Sequence, residues 1–145
     1  MSHTCPACLV TCMDFRLHRR GDGRNFLAEV LAVPATDCDI VTRAGAVQDL
    51  LRGPAGAGEA LLRDLKVAAE LHHVRTIYLM NHTDCGAYRR FHFSTPEEEL
   101  DRHHRDLREA GDVVRKHLPN VEVKLLLAVL EGGGDYYSAR EVMPA

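Results

Sequence analysis

The sequence contains no apolar run approaching the roughly 18 residues that a membrane-spanning helix needs, so nothing in it reads as a span. It begins Met1-Ser2-His3-Thr4-Cys5-Pro6, without the apolar core of a secretory signal. The expected compartment is therefore the cytoplasm. No basic stripe is present either. Eighteen lysines and arginines stand against 21 acids, for a formal charge of −3, and Arg19-Arg20 and Arg89-Arg90 are isolated pairs. That balance argues against nucleic acid as a partner. The glycine-rich stretch over 53–58 lacks the Gly-Lys-Ser/Thr of a phosphate-binding loop, which leaves it a connector with no nucleotide role. Internal repeats and low-complexity segments are missing as well. What is there fits one globular domain over 1–145, since 46% hydrophobic and 27% charged residues are ordinary for such a chain. In a reducing compartment the five cysteines are thiols, ligands or nucleophiles rather than disulfides.

Short apolar runs alternate with helical patterns. Cys8-Leu9-Val10-Thr11-Cys12 reads as a first strand, and Asp39-Ile40-Val41-Thr42-Arg43 as a second, closed by Ala44-Gly45-Ala46. A third runs through Thr76 to Met80, and a fourth over 121–130. Between them, Phe26, Leu27, Val30 and Leu31 recur at helical spacing over 24–33, ended by Pro34. One or two helical turns are expected over 47–51, and a strong amphipathic helix over 59–72. Ser94-Thr95-Pro96-Glu97-Glu98 has a cap residue, a first-turn proline and acids, so it starts a helix reaching 117 or 118. Leu100, Leu107, Val114 and Leu118 form its apolar stripe. The segment after the glycines at 132–134 is weakly specified. This alternation predicts an α/β fold with a mainly parallel central β-sheet of about four strands flanked by helices.

Sites in such sheets form outside the carboxyl ends of the strands. Cys12, Asp14 and Arg16 fall at the end of the first strand, and His82 and Cys85 at the end of the third. Two cysteines and one histidine suit tetrahedral Zn2+ with a fourth position left open, as a catalytic zinc requires. Asp14 beside a metal-activated water could accept a hydrogen bond from it and orient a lone pair at a substrate. Arg16, paired with Asp14, would hold that carboxylate off the metal; unpaired, Asp14 could close the site.

These residues also carry a family resemblance. Cys12-Met13-Asp14-Phe15-Arg16 resembles the Cys-x-Asp-x-Arg motif of the β-class carbonic anhydrases, and His82-Thr83-Asp84-Cys85-Gly86 their His-x-x-Cys-Gly motif. The segment 39–45 resembles the piece usually found between them, though it is shorter and lacks both asparagines. The resemblance implies reversible hydration of carbon dioxide to bicarbonate and a proton, by a zinc-hydroxide mechanism. Cys12, His82 and Cys85 would ligate Zn2+, and Asp14 and Arg16 would be the catalytic dyad. It further implies a homodimer or higher homo-oligomer. Family members are usually longer, with an N-terminal helical arm around a partner subunit. Because the chain begins almost at its first strand, that arm and its pocket glutamine are expected to be absent.

Phe15, Gly45, Val47, Gly86 and Tyr88 are candidates for the substrate pocket. The N–H after Gly45 or at Gly86 could donate to a substrate oxygen, and His18, His92 or His103 could shuttle the proton. Two further functions fit the same ligands. One is a hydrolase of carbonyl sulfide or carbon disulfide, the other a non-catalytic zinc domain closed by Asp14. Asp84 shapes its loop or supports His82. Cys5-Pro6-Ala7-Cys8 has metal or redox spacing, with Cys8 expected to face the core. Cys38 reads as a loop residue, and His72-His73 and His103-His104 as helix-surface or helix-end residues.

Overall fold

Cys8-Leu9-Val10-Thr11-Cys12, with Ala7, forms strand β1 (Ala7–Cys12), and all six residues are buried. Such a continuous run suits a strand covered on both faces. The computed structural model describes residues 3–18, 38–131 and 136–144. The helix expected over 24–33 and the glycines at 132–134 lie outside them. β1 pairs in parallel with β2 (Cys38–Arg43) on one side and β3 (Thr76–His82) on the other. β4 (Glu122–Glu131) extends the parallel sheet beyond β3. The four expected strands are joined by a fifth, β5 (Tyr136–Val142), antiparallel to β4. Among the described residues the strand order is β2-β1-β3-β4-β5. The chain leaves β1 toward β2 on one side and returns to β3 on the other. The carboxyl ends of β1 and β3 are therefore a topological switch point, where open α/β sheets bind ligands.

Alternation along the strands divides the core. Cys8, Val10, Ile77, Leu79, Leu125 and Leu127 join one buried cluster. Leu9, Met80, Leu126 and Ala128 join another. Among the described residues the α-helices are α1 (Phe15–His18), α2 (Gln48–Leu51), α3 (Ala57–Leu71) and α4 (Pro96–His117). Leu61, Leu65 and Ala68 of α3 and Leu107, Ala110 and Val114 of α4 cover the first cluster, while Leu17 of α1 packs into the second. Each fully buried leucine contributes about 2 kcal/mol.

The start of α4 follows from its sequence. Thr95 accepts a hydrogen bond from the Glu98 N–H at 3.2 Å, Glu98 reaches back to the Ser94 N–H at 2.7 Å, and Pro96 occupies the first turn. The buried stripe of α4 also carries His103 and Asp106, each fully buried. His103 is therefore not the helix-surface residue expected from sequence, nor a surface proton shuttle. No helix among the described residues is long and apolar enough to cross a membrane.

Candidate metal centre

β1 ends in Cys12, β3 ends in His82, and Cys85 follows three residues later. The neighbouring parallel strands bring these positions together. One ligand atom of each lies within 4.8 Å of the others, and all three residues are buried. The two sulfurs are 3.9 Å apart. A disulfide needs about 2.05 Å, whereas two sulfurs on one tetrahedral zinc stand about 3.8 Å apart, given Zn–S bonds of about 2.3 Å. All five cysteines of the chain are free thiols.

The surroundings favour sulfur as thiolate. The Gly45 N–H donates to Cys12 Sγ, and the Ala87 and Tyr88 N–H groups donate to Cys85 Sγ. Without a metal the pair behaves asymmetrically. The Cys85 thiol, donating to it, and secondarily the adjacent His82 ring pull the Cys12 pKa down, against the opposing effect of burial. Donation to Cys12, together with burial, pushes Cys85 up. A divalent cation is what allows both to ionise in one buried site. The His82 ring is oriented as a ligand would be: Nδ1–H donates to the Thr83 carbonyl at 2.8 Å, leaving the Nε2 lone pair to face the cluster. Thr83 is itself pinned to β4, its N–H donating to the Ala128 carbonyl and its hydroxyl accepting from the Leu130 N–H, both at 2.9 Å. This donor set fits a zinc ion.

Asp14 and Arg16 sit at the rim. The Arg16 guanidinium donates to both carboxylate oxygens of Asp14, from Nε at 3.1 Å and Nη2 at 2.8 Å, and its backbone N–H adds a third bond at 2.9 Å. These bonds, the side-chain ones foremost, hold the Asp14 pKa down to about 2, against the opposing effect of burial. Asp14 Oδ2 lies 3.9 Å from His82 Nε2. Arg16 also donates from Nη1 to the Asp84 carboxylate at 2.9 Å and from Nη2 to the Asp84 carbonyl at 2.9 Å. The two motif loops are thus tied through one arginine. Asp84, read from sequence as a loop former or a partner of His82, takes a left-handed turn with φ of 55° and pairs with Arg16, while Thr83 supplies the bond to His82.

Gly45 is left-handed, with φ of 78°, and a Cβ there would lie 2.7 Å from Gln48 Nε2 and 3.0 Å from Ala87 Cβ. That conformation aims its N–H at Cys12. The next N–H, of Ala46, donates to the Arg43 carbonyl at 3.1 Å. It is spent there, which corrects the expectation that it serves a substrate oxygen. Gly86 is exposed, and a Cβ on it meets nothing within 4 Å. Phe15 is 67% exposed, whereas Val47 is buried among the core residues of α3 and β3. Tyr88 is buried too, but borders a cavity of about 250 Å³ walled by Asp84, Cys85, Arg89, His92, Phe93 and Glu99.

A buried polar network behind the cluster was missed in the sequence. Asn81, next to His82, donates to the Tyr88 hydroxyl at 2.8 Å and to His103 Nδ1 at 3.1 Å. Tyr88 donates to Asp106 at 2.7 Å, and Arg52 grips Asp106 with two bonds of 2.6 and 2.7 Å. The network locks the ends of β3 and the turn after Cys85 to α4. Its signal was present: 100, 103, 107, 110 and 114 share one helical face, which puts His103 inside.

A family model described as "Putative carbonic anhydrase" matches residues 2–130. An uncharacterized protein of Rickettsia bellii is 28% identical over 129 residues, covering 86% of this chain and 76% of its own length. Another, from Rickettsia conorii, is 28% identical over 129 residues, covering 86% and 67%. Among solved structures, a carbonic anhydrase from Streptococcus mutans superposes with a TM-score of 0.64 at 21% identity, over 98% of this chain and 84% of that one. A β-carbonic anhydrase of Trichomonas vaginalis gives 0.63 at 18%, over 99% and 87%. The apo form of a carbon disulfide hydrolase gives 0.63 at 13%, over 98% and 80%. At these identities the likeness to solved structures is one of fold.

Proposed function

The chain belongs to the family described as "Putative carbonic anhydrase" and has the β-carbonic-anhydrase-like fold, and from that premise we propose that it catalyses the zinc-dependent reversible hydration of carbon dioxide to bicarbonate and a proton. The observation that carries this reading is the meeting of Cys12, His82 and Cys85 beside an arginine-held Asp14 at the β1/β3 switch point. Cys12, His82 and Cys85 hold the ion. A zinc ion there supplies the Lewis acidity that makes water a nucleophile near neutral pH.

The other steps belong to the chain. Asp14, ionised at neutral pH, accepts a hydrogen bond from the attacking water and orients it toward carbon dioxide. Arg16 occupies both Asp14 oxygens and would keep them from ligating the ion. The Gly45, Ala87 and Tyr88 N–H groups hold the sulfurs in place. The cavity walled by Cys85, Tyr88 and Phe93 takes the linear substrate. His92, in the same wall and exposed, passes the proton to buffer. The homodimer implied by the family is part of this reading, and sedimentation of a monomer alone at working concentration would contradict that part.

A carbon disulfide or carbonyl sulfide hydrolase remains the rival, because one such enzyme shares the fold. Parallel turnover of the three substrates by one zinc-loaded preparation separates them. Hydration of carbon dioxide is expected to dominate; turnover confined to the sulfur compounds would replace the reading. Cys12→Ala is expected to lose one zinc equivalent relative to wild type. Equal zinc in the two proteins would contradict the ligand assignment. An Asp14 carboxylate bound to zinc at every pH would support the non-catalytic alternative instead.

A further inference from the structure

The opposite edge of the sheet carries a second mixed donor set. Cys5 precedes β1, Asp39 lies at the start of β2, and His72 caps the end of α3. Cys5 Sγ, a carboxylate oxygen of Asp39 and a ring nitrogen of His72 lie within 4.8 Å of one another. Seven residue steps of nearly extended chain separate Cys5 from Cys12, roughly 23 Å at about 3.3 Å per step. The two clusters therefore share no ligand and no space.

The fold assembles this set from three elements. The Cys5 N–H donates to the His72 carbonyl at 3.0 Å, fixing the chain before β1 against the end of α3. Parallel pairing sets Cys8 opposite Asp39. His72 Nδ1 then lies 2.7 Å from Asp39 Oδ2. All three side chains belong to half-buried residues and can be reached from solvent. The His3 ring packs on His72 with centroids 4.8 Å apart, adding an imidazole at the rim. Cys8, the other cysteine of the Cys-x-x-Cys spacing, is fully buried in the core. The spacing is thus not a pair acting on one ion; Cys5 finds its partners across the sheet.

An ion pair between His72 and Asp39 would need no thiol beside it. One sulfur, one imidazole and one carboxylate are a donor set for a borderline divalent ion such as zinc, and a poor one for magnesium or calcium. One thiolate and one carboxylate balance two positive charges. We propose that Cys5, Asp39 and His72 form a second zinc-type site, separate from the Cys12–His82–Cys85 centre. On binding, the hydrogen bond between His72 Nδ1 and Asp39 Oδ2 opens and the ring proton moves to Nε2. The Cys5 thiol proton goes to solvent. The pair must separate by about half an ångström, since two such ligand atoms on a tetrahedral ion stand about 3.3 Å apart. The ion would tie the starts of β1 and β2 to the end of α3.

Cobalt(II) titration of the full chain, with a phosphine reductant present, tests this. In the Cys12→Ala/Cys85→Ala double variant, one cobalt is expected to bind with a thiolate-to-cobalt charge-transfer band. Adding Cys5→Ser is expected to abolish that band and weaken binding at least tenfold. A folded double variant whose titration matches that of the triple variant overturns the proposal. If the double variant does not fold, zinc content is compared between wild type and His72→Ala, a partly exposed change. Two equivalents are expected to fall to one, and equal content in the two proteins overturns the proposal. Neither readout depends on turnover, so loss of the hydration activity proposed above would leave this result standing.

Discussion

Arg52→Met tests how far the buried network supports the site. Asp106 is fully buried, while the Arg52 side chain is 25% exposed. The arginine supplies two of the three close hydrogen bonds to that carboxylate, the third coming from Tyr88. Methionine keeps an unbranched stem but removes the guanidinium, whose Cζ lies 5.3 Å from the centre of the Phe91 ring. Breaking a buried pair from one side costs about 3–5 kcal/mol, because the remaining charge is left without a partner. Arg102, 4.0 Å from Asp106, offsets part of this, so a loss of about 3 kcal/mol is expected. For a chain of this length that corresponds to a fall in Tm of about 10 °C. Asp106→Asn on the Arg52→Met background removes the uncompensated charge and is expected to recover about 1.5 kcal/mol. Urea unfolding followed by circular dichroism at pH 7, with zinc held in constant excess, measures wild type, Arg52→Met, Asp106→Asn and the double variant. An Arg52→Met loss below 1 kcal/mol, or a double variant equal to the sum of the singles, would refute the reasoning.

Gly45→Ala places a Cβ in a left-handed residue and against Gln48 and Ala87, so a loss of about 2 kcal/mol is expected by urea unfolding. Because the Gly45 N–H also serves the Cys12 sulfur, zinc retention against a chelator is expected to fall about tenfold; unchanged retention would contradict that role. Glu99 is held below its ordinary value of 4.5, first by the His103 ring, whose Nε2 lies 3.8 Å from its carboxylate, and then by the Asp84 N–H, against burial. A depressed folded pKa contributes stability above 4.5 that is lost as pH falls through the folded value. Tm of Glu99→Gln is therefore expected to lie below wild type at neutral pH, with the gap closing in acid below 4.5. A gap that widens toward acid would contradict the assignment.

Much of the candidate site was legible because two of its proposed ligands end strands. Apolar runs stopping at Cys12 and His82, in a parallel alternating pattern, place those residues on one sheet edge whatever the loops do. The Asp14–Arg16 pairing was legible for a local reason, two residues on one tight turn. Arg52 and Asp106 were not, since 54 residues separate them and each alone reads as surface charge. The same holds for Cys5, whose partners Asp39 and His72 are reached only through strand pairing and a helix end. β5 escaped because an antiparallel edge strand of mixed polarity carries little periodic signal, and its identity comes from pairing with β4.

The most direct measurement is stopped-flow hydration of carbon dioxide by zinc-verified protein, with Asp14→Asn alongside. Asparagine keeps the shape but loses the charge that Arg16 grips and that accepts from water. Wild type is expected to hydrate carbon dioxide far above the buffer rate, and Asp14→Asn, with zinc retained, to lose about a hundredfold. Hydration no faster than buffer in zinc-loaded wild type would contradict the proposed function.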